Sequence, residues 1–419
     1  MRSRYVLFSA LYPPHMGGIE NFTYNLAHAL VDRGSEVLVV TNDTNGLGAG
    51  ITDEDGVWVL RLPCFPFFSG RFPVPKLNAL SRKLWKHIER RHFDGVLVNA
   101  RFYIHSLYGI RFAKSMGITP VVLDHGSAYL SFSNPVIDPL VRTYERLITA
   151  LGKRFHPDYY GVSSKSVEWL RSFGITAKGV IPNSIDAKSF REMSSGRDFR
   201  NELGVGAGSY LVCFVGRLIP EKGIKAILEA SRSRRLVEAG VVFVLAGDGA
   251  LSKEVDDAQG ESLRWVGRLS SSDISSLLQQ SDLLCLPTRS EGFATTLLEA
   301  SSCGCPSVVT DVGGARELFP NEHFGTIISS MDSEDVEQAI YSLVKTLISW
   351  LSGLVYVDAW LKMRVHGIRR RLWLKKCFLE LMGKTIACHH CFSRTSSSRA
   401  AAASSAATSC TTWWTTTRA

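Results

Sequence analysis

Four charged side chains in the second half of this 419-residue chain, Arg217, Lys222, Glu291 and Glu299, are of types that can hold anions and hydroxyl groups. Glu291 and Glu299 form an E-x7-E pair, about two helical turns apart if the segment is helical. A carboxylate inside a helix can accept two hydrogen bonds from a vicinal diol such as a ribose, which suits Glu299. A carboxylate at a helix lip, such as Glu291, can reach a sugar hydroxyl or stabilise positive charge developing on a sugar ring. The helix start itself would aim the backbone N–H groups of Gly292, Phe293 and Ala294 at whatever lies beyond, a setting that suits a diphosphate. Upstream, Arg217 and Lys222 put two cations on one short segment. Where a bond to a phosphate group breaks, negative charge develops, and fixed cations stabilise that charge most in the transition state. Arg does so with a bidentate fork, Lys as a point charge. Each feature alone has an ordinary reading: glutamate is favoured at helix starts by the dipole, and loop cations are usually solvated.

These residues need elements to hold them. Leu283–Leu286 is a short apolar run between Asp282 and Pro287 and predicts a buried strand. Glu291 and Gly292 then make a strand-to-helix turn, with Phe293, Leu297, Leu298 and Ala300 on one helical face. Gly304 is placed to cap that helix and Pro306 to stop it. Tyr210–Val215 predicts a strand, followed by GRLIPEKG and a helix over Ile224–Ser231. Val241–Ala246 and Leu263–Val266 are further strands, the first followed by Gly247-Asp248-Gly249, and Ser272–Gln280 is a helix.

The first half alternates in the same way. Strands are expected at Tyr5–Ala10, Glu36–Thr41, Phe93–Asn99, Val121–Leu123 and Tyr160–Ser163, and a helix at Glu20–Asp32. Gly17 and Gly18 precede that helix, where the backbone can approach a ligand closely. His125 follows a strand end, where open α/β sheets bind ligands, although a lone histidine is more often structural. Residues 61–75 carry four prolines and four phenylalanines and read as an irregular apolar loop. Lys76–His92 reads as a helix with Leu77, Leu80, Leu84, Trp85 and Ile88 on one face beside six cations and one acid. That pattern fits an anionic membrane surface or a core-packed helix with a solvated basic face.

The segment Thr288–Gly314, with E-G-F, E-x7-E and G-C-P, resembles the donor-binding signature of retaining, nucleotide-sugar-dependent glycosyltransferases of group 1 (family 4-like) with the GT-B fold. V-G-R-L-I-P-E-K-G at 215–223, G-G-I-E at 17–20 and V-I-P-N-S-I-D at 180–186 match in the same order. Ser184 stands where the family usually has glycine, so a positive φ there would be less easy. The resemblance spans roughly residues 5–330 and implies two Rossmann-like α/β domains facing each other across a cleft. It implies residues 1–180 as the acceptor-side domain, 181–207 as linker and 208–348 as the nucleotide-sugar domain. It further implies a crossover helix within 349–387. Implied roles are diphosphate binding by Arg217 and Lys222, with Gly292, Phe293 and Ala294 capping phosphate or sugar. Glu299 would hold the ribose, Glu291 the donor sugar, and His125 would line its reacting face, with Gly17 and Gly18 opposite. Retention would proceed through an oxocarbenium-like transition state. The departing phosphate would help deprotonate the acceptor, because no carboxylate nucleophile stands on the His125 side. Neither a cofactor nor a metal is implied, the two cations doing a metal's work. The acceptor is expected to be a glycan or lipid-linked glycan of envelope assembly, read by loops such as 61–75 and 126–140. Two other readings stay open: a nucleotide-sugar epimerase of the same fold, and a non-catalytic nucleotide-sugar-binding protein.

Composition sets outer bounds. The net charge of +9 is uneven: +7 over residues 1–180, −7 over 181–349 and +9 over 350–419. No nucleic-acid partner is expected. The nine cysteines are irregularly spaced, which suits a reducing compartment, and no apolar run reaches the roughly 20 residues a spanning helix needs. The chain is therefore expected in the cytoplasm, peripherally on the inner membrane face. Residues 388–419 are Ser/Ala/Thr-biased and are expected to be a disordered tail or terminal extension; Cys388-His389-His390-Cys391 lacks a second ligand pair for zinc.

Overall fold

A computed structural model describes residues 2–15, 17–68, 70–130, 135–319 and 325–353, with side chains placed as far as 345. The expected crossover helix (349–387) and tail (388–419) lie outside them, apart from the backbone of 349–353. The described residues belong to one compact unit built on two sheets.

The first sheet contains β1 (Arg4–Phe8), β2 (Glu36–Asn42), β3 (Gly50–Glu54) and β4 (Val57–Leu62). After a separate hairpin of β5 (Cys64–Phe67) and β6 (Phe72–Pro75), it continues with β7 (Gly95–Asn99), β8 (Val121–Asp124), β9 (Asp158–Gly161) and β10 (Gly179–Val180). Their order is β10-β9-β8-β7-β1-β2-β4-β3, parallel except where β3 pairs antiparallel with β4. The second sheet comprises β11 (Tyr210–Val215), β12 (Val241–Ala246), β13 (Leu263–Trp265), β14 (Leu283–Leu286), β15 (Ser307–Thr310) and β16 (Gly325–Ile328). It is wholly parallel, in the order β13-β12-β11-β14-β15-β16.

Runs such as Val37–Val40 and Leu283–Leu286 are apolar throughout because parallel strands are covered by helices on both faces. In each sheet the order reverses beside the first strand, between β1 and β7 and between β11 and β14. Connections leave in opposite directions there and open a crevice at the carboxyl ends of the strands, the place where such sheets bind ligands.

Two sequence expectations need correction. Cys64–Phe67 and Phe72–Pro75 pair as two antiparallel strands of a hairpin, where an irregular loop was expected over 61–75. Proline lacks a donor, but a two-stranded hairpin leaves outward-facing positions where none is needed. The basic helix is shorter than expected, Ala79–Glu89, capped by Asn78 accepting from the Ser81 N–H. It buries Leu84 and Ile88 and rests Trp85 against Phe8, while Leu77 and Leu80 face outward. No described helix is long and apolar enough to cross a membrane.

Candidate functional site

At the crevice of the second sheet two of the sequence-predicted charges meet, Lys222 and Glu291, while Arg217 and Glu299 make no contact with them among the described residues. Arg217 and Lys222 lie after β11, and Glu291 lies after β14, its neighbour in the sheet. The two loops are laced by the Arg289 N–H donating to Glu221 O (2.8 Å) and by Thr288 Oγ1 donating to the same oxygen (3.1 Å). Lys222 Nζ forms an ion pair with Glu291 Oε1, both side chains being mostly covered. Arg217 is exposed, and its guanidinium makes no hydrogen bond or ion pair among the described residues.

The Glu291–Phe293 turn is held by its carbonyls. Ser127 Oγ donates to Glu291 O (2.6 Å), Ser163 Oγ to Gly292 O (2.8 Å) and Asn183 Nδ2 to Phe293 O (3.4 Å). All three donors come from residues 127–183, after strands of the first sheet. The N–H groups of Gly292–Thr296 donate to nothing among the described residues. The helix begins at Thr295 with Ala294 as N-cap, later than the sequence suggested, so these N–H groups span the turn and the first helical residues. The result is a short run of unpaired donors beside a buried helix start, an arrangement suited to an anion.

Gly292 meets the first half of the chain at backbone distance. A Cβ there would lie 1.6 Å from His125 O, so only glycine fits. The Phe293 ring packs with Phe22, Leu123 and Val162, so its side chain is a wedge between the halves and only its backbone faces the site.

His125 follows β8. Asn99 Nδ2 donates to Thr23 Oγ1 (3.0 Å), leaving Asn99 Oδ1 to accept from His125 Nε2 (3.0 Å). That bond makes Nδ1 the acceptor nitrogen of the neutral ring. Burial pushes the imidazole pKa down to about 3, so the ring carries no charge near neutrality. Phe22 stands edge-on to it at 5.1 Å.

Glu299 lies within the helix Thr295–Ser302, and its carboxyl has no hydrogen-bond partner among the described residues. Burial raises its pKa to about 7. A carboxyl with no partner in the protein can accept hydrogen bonds from a ligand's hydroxyls once ionised.

Gly17 lets Glu20 fold back: a Cβ at Gly17 would sit 2.3 Å from Glu20 Oε2, and His15 Nδ1 lies 3.2 Å from the other oxygen of that carboxylate. Gly18 opens the helix Gly18–Asp32, and a side chain there would meet open space. Ser184 is not in the left-handed region, so the departure from glycine at that position causes no strain. No group of three or more metal-ligating side chains is placed to hold an ion among the described residues.

Sequence reasoning missed Ser127, Ser163 and Asn99, which act through hydrogen bonds to positions distant in the chain. Asn183 was noted within V-I-P-N, but nothing there revealed that its amide reaches Phe293.

Two family models match this chain. That of "Glycosyl transferases group 1" matches residues 196–346, and that of "Glycosyltransferase Family 4" matches residues 16–189. An uncharacterised glycosyltransferase of Methanocaldococcus jannaschii is 22% identical over 362 residues, covering 81% of this chain and 89% of the relative. The phosphatidylinositol N-acetylglucosaminyltransferase gpi3 subunit of Schizosaccharomyces pombe is 24% identical over 356 residues, covering 81% and 72%. Among solved structures, Anabaena HepE in complex with UDP superposes with a TM-score of 0.59 at 19% identity, covering 93% of this chain and 100% of that one.

Proposed function

We propose, for a chain that belongs to the group 1 glycosyltransferases and has their two-lobed GT-B fold, that it moves a hexose-type sugar from a nucleoside-diphosphate sugar to an acceptor hydroxyl with retention of configuration. The observation that carries this reading is the turn at Glu291–Phe293. Its carbonyls are bound by Ser127, Ser163 and Asn183, and its N–H groups are left for a ligand beside the Lys222–Glu291 pair.

Arg217 and Lys222 bind the diphosphate, and Glu299 accepts from the ribose diol. The N–H groups at Gly292, Phe293 and Ala294 cap phosphate or sugar. An arriving diphosphate shares Lys222, which loosens Glu291 toward the donor sugar. His125 lines the reacting face, its neutral Nδ1 accepting from a sugar hydroxyl, and Gly17 and Gly18 shape the opposite wall. As the sugar–phosphate bond breaks, charge grows on the diphosphate beside these cations and N–H donors, where preorganised groups stabilise it most. The departing phosphate takes the acceptor proton, and the sugar passes through an oxocarbenium-like state. No metal or cofactor is needed in this scheme, the two cations balancing the diphosphate.

UDP-sugars are the first donors to try, since HepE holds UDP. A lipid-borne acceptor fits the phosphatidylinositol N-acetylglucosaminyltransferase relative and the first lobe's surface. There Leu77 and Leu80 are exposed beside Arg82, Lys83, Lys86 and Arg90, and Lys76 stands over the exposed ring of Phe65 (4.8 Å). That region, Lys76–His92 with the 64–75 hairpin, would rest on an anionic membrane, placing the protein at the cytoplasmic face in envelope glycan or glycolipid assembly.

The test is a thermal-shift panel of nucleoside diphosphates, followed by an assay for nucleoside diphosphate release with and without acceptor. Release that depends on acceptor supports transfer. Release at the same rate without acceptor contradicts it.

A further inference from the structure

Beneath the site, one guanidinium meets two carboxylates out of water. Arg101, Asp124 and Glu145 have side chains 1%, 0% and 1% exposed. Arg101 Nη1 and Nη2 donate to Glu145 Oε2 (3.2 and 3.1 Å), and its Nε lies 3.5 Å from Asp124 Oδ2. The ring of Phe173 covers the guanidinium with its centroid 3.7 Å from the central carbon. Packing alone would be served as well by apolar residues of similar volume, because burying three ionisable groups is costly. What the charges add is direction.

That direction is visible in what the cluster ties down. Asp124 is the last residue before the loop carrying His125, Gly126 and Ser127. Glu145 Oε1 accepts the Leu130 N–H (2.8 Å) at the loop's other end. One guanidinium thus reaches both ends of residues 124–130, holding Leu130 through Glu145 and facing Asp124 as an ion pair without a hydrogen bond. Between those ends lie two of the contacts that seat the Glu291–Phe293 turn: His125 O against Gly292, and Ser127 Oγ donating to Glu291 O; Ser163 and Asn183 hold the same turn from elsewhere.

We propose that Arg101 is a positioning residue for the transfer, acting through the 124–130 loop to set Glu291 and His125 in register across the cleft. The inference rests on the transferase reading above. Burial also raises the Asp124 pKa to about 6, which the nearby Arg101 charge opposes and Glu145 reinforces. The cluster is therefore a place where ionisation and loop position are joined.

Arg101→Lys supplies a point charge that cannot bridge both carboxylates. Glu145→Gln keeps an oxygen for Leu130 but presents an amide nitrogen to Arg101. Both are compared with wild type for UDP affinity by calorimetry, for kcat and donor KM, and for melting temperature, with kinetics taken well below each melting point. The expected result is a fall in kcat of about tenfold for Arg101→Lys and about fivefold for Glu145→Gln, with UDP affinity and donor KM within about threefold. If Arg101→Lys does not fold, Glu145→Gln decides alone. A folded variant with wild-type kcat overturns the proposal, and so does a parallel loss of UDP affinity and turnover, the mark of a merely structural role. If wild type transfers sugar and the variants match it, only the role of Arg101 falls. If wild type neither binds UDP nor transfers, the function reading falls and this inference with it.

Discussion

Lys222 and Glu291, 69 positions apart in the chain, are ion-paired across the seam where the second sheet reverses its strand order. The pair joins a cation suited to a diphosphate with a carboxylate suited to the attached sugar. Replacing Glu291 or Arg217 by alanine should leave the fold intact, since Glu291 is paired at a loop and Arg217 is exposed. Turnover should fall by about 10²–10³ in each case, the usual worth of one charge-stabilising group. Steady-state kinetics beside circular dichroism checks this, and near-normal turnover in either variant would remove that residue from the mechanism.

Gly292→Ala should separate folding from catalysis. The added methyl would collide with His125 O, and backbone cannot give way as a flexible side chain can. The turn must retreat from the first lobe while both sheets keep their cores. Turnover should drop by about 10²-fold, as expected of an ångström-scale misplacement, with a modest change in melting temperature. A fully active Gly292→Ala protein would mean that this lobe contact is not the working geometry.

Glu299 makes stability depend on pH in a particular direction. Its folded pKa is raised to about 7 from an ordinary 4.5, so between these values the folded state holds a proton that the unfolded state has lost. The unliganded protein should therefore lose stability as pH rises from about 4.5 to about 7, with no further loss from this group above that. Glu299→Gln should abolish this part of the slope, read as the difference between melting curves of the two proteins across that range. UDP should bind the wild type more tightly as pH passes 7, when the carboxylate can accept from the ribose. Identical slopes in the two proteins would refute the assignment.

His125 should stay neutral. Its pKa is pushed to about 3, below the ordinary 6.5, so the unfolded chain binds a proton between these values that the folded protein does not. This contribution to stability is fully present above about pH 6.5 and is lost as pH falls toward 3. A ring resonance assigned by comparison with His125→Gln should not titrate down to pH 5. A midpoint near 6.5 would show instead that the ring can serve as a charged acid.

The two halves of the chain were unequally legible. Tyr210–Val215, Val241–Ala246 and Leu283–Leu286 were readable to the residue, because apolar runs there end sharply at Gly or Pro, and Ile224–Ser231 because it follows Gly223 with helical spacing of its apolar residues. The charges on their connecting loops were legible for the same reason: a doubly wound sheet brings the loops after its first and fourth strands together. The hairpin at 64–75 was hidden by its prolines. Lys76–His92 was read about a turn too long at each end, since apolar and basic residues continue on both sides of the Asn78 and Arg90 caps. The Arg101–Asp124–Glu145 cluster and the Asn99–His125 bond were out of reach. Their partners lie 23–44 positions apart, on elements and loops whose pairing no local pattern encodes.

The central claim is that the crevice of the second sheet is a nucleoside-diphosphate site completed by the first lobe. Calorimetric titration of UDP into wild type, Arg217→Ala and Glu299→Gln tests it most directly. The account predicts saturable one-to-one binding by wild type, weakened about tenfold or more in each variant, in line with the loss of a charged hydrogen bond. Equal affinity in all three proteins would contradict it.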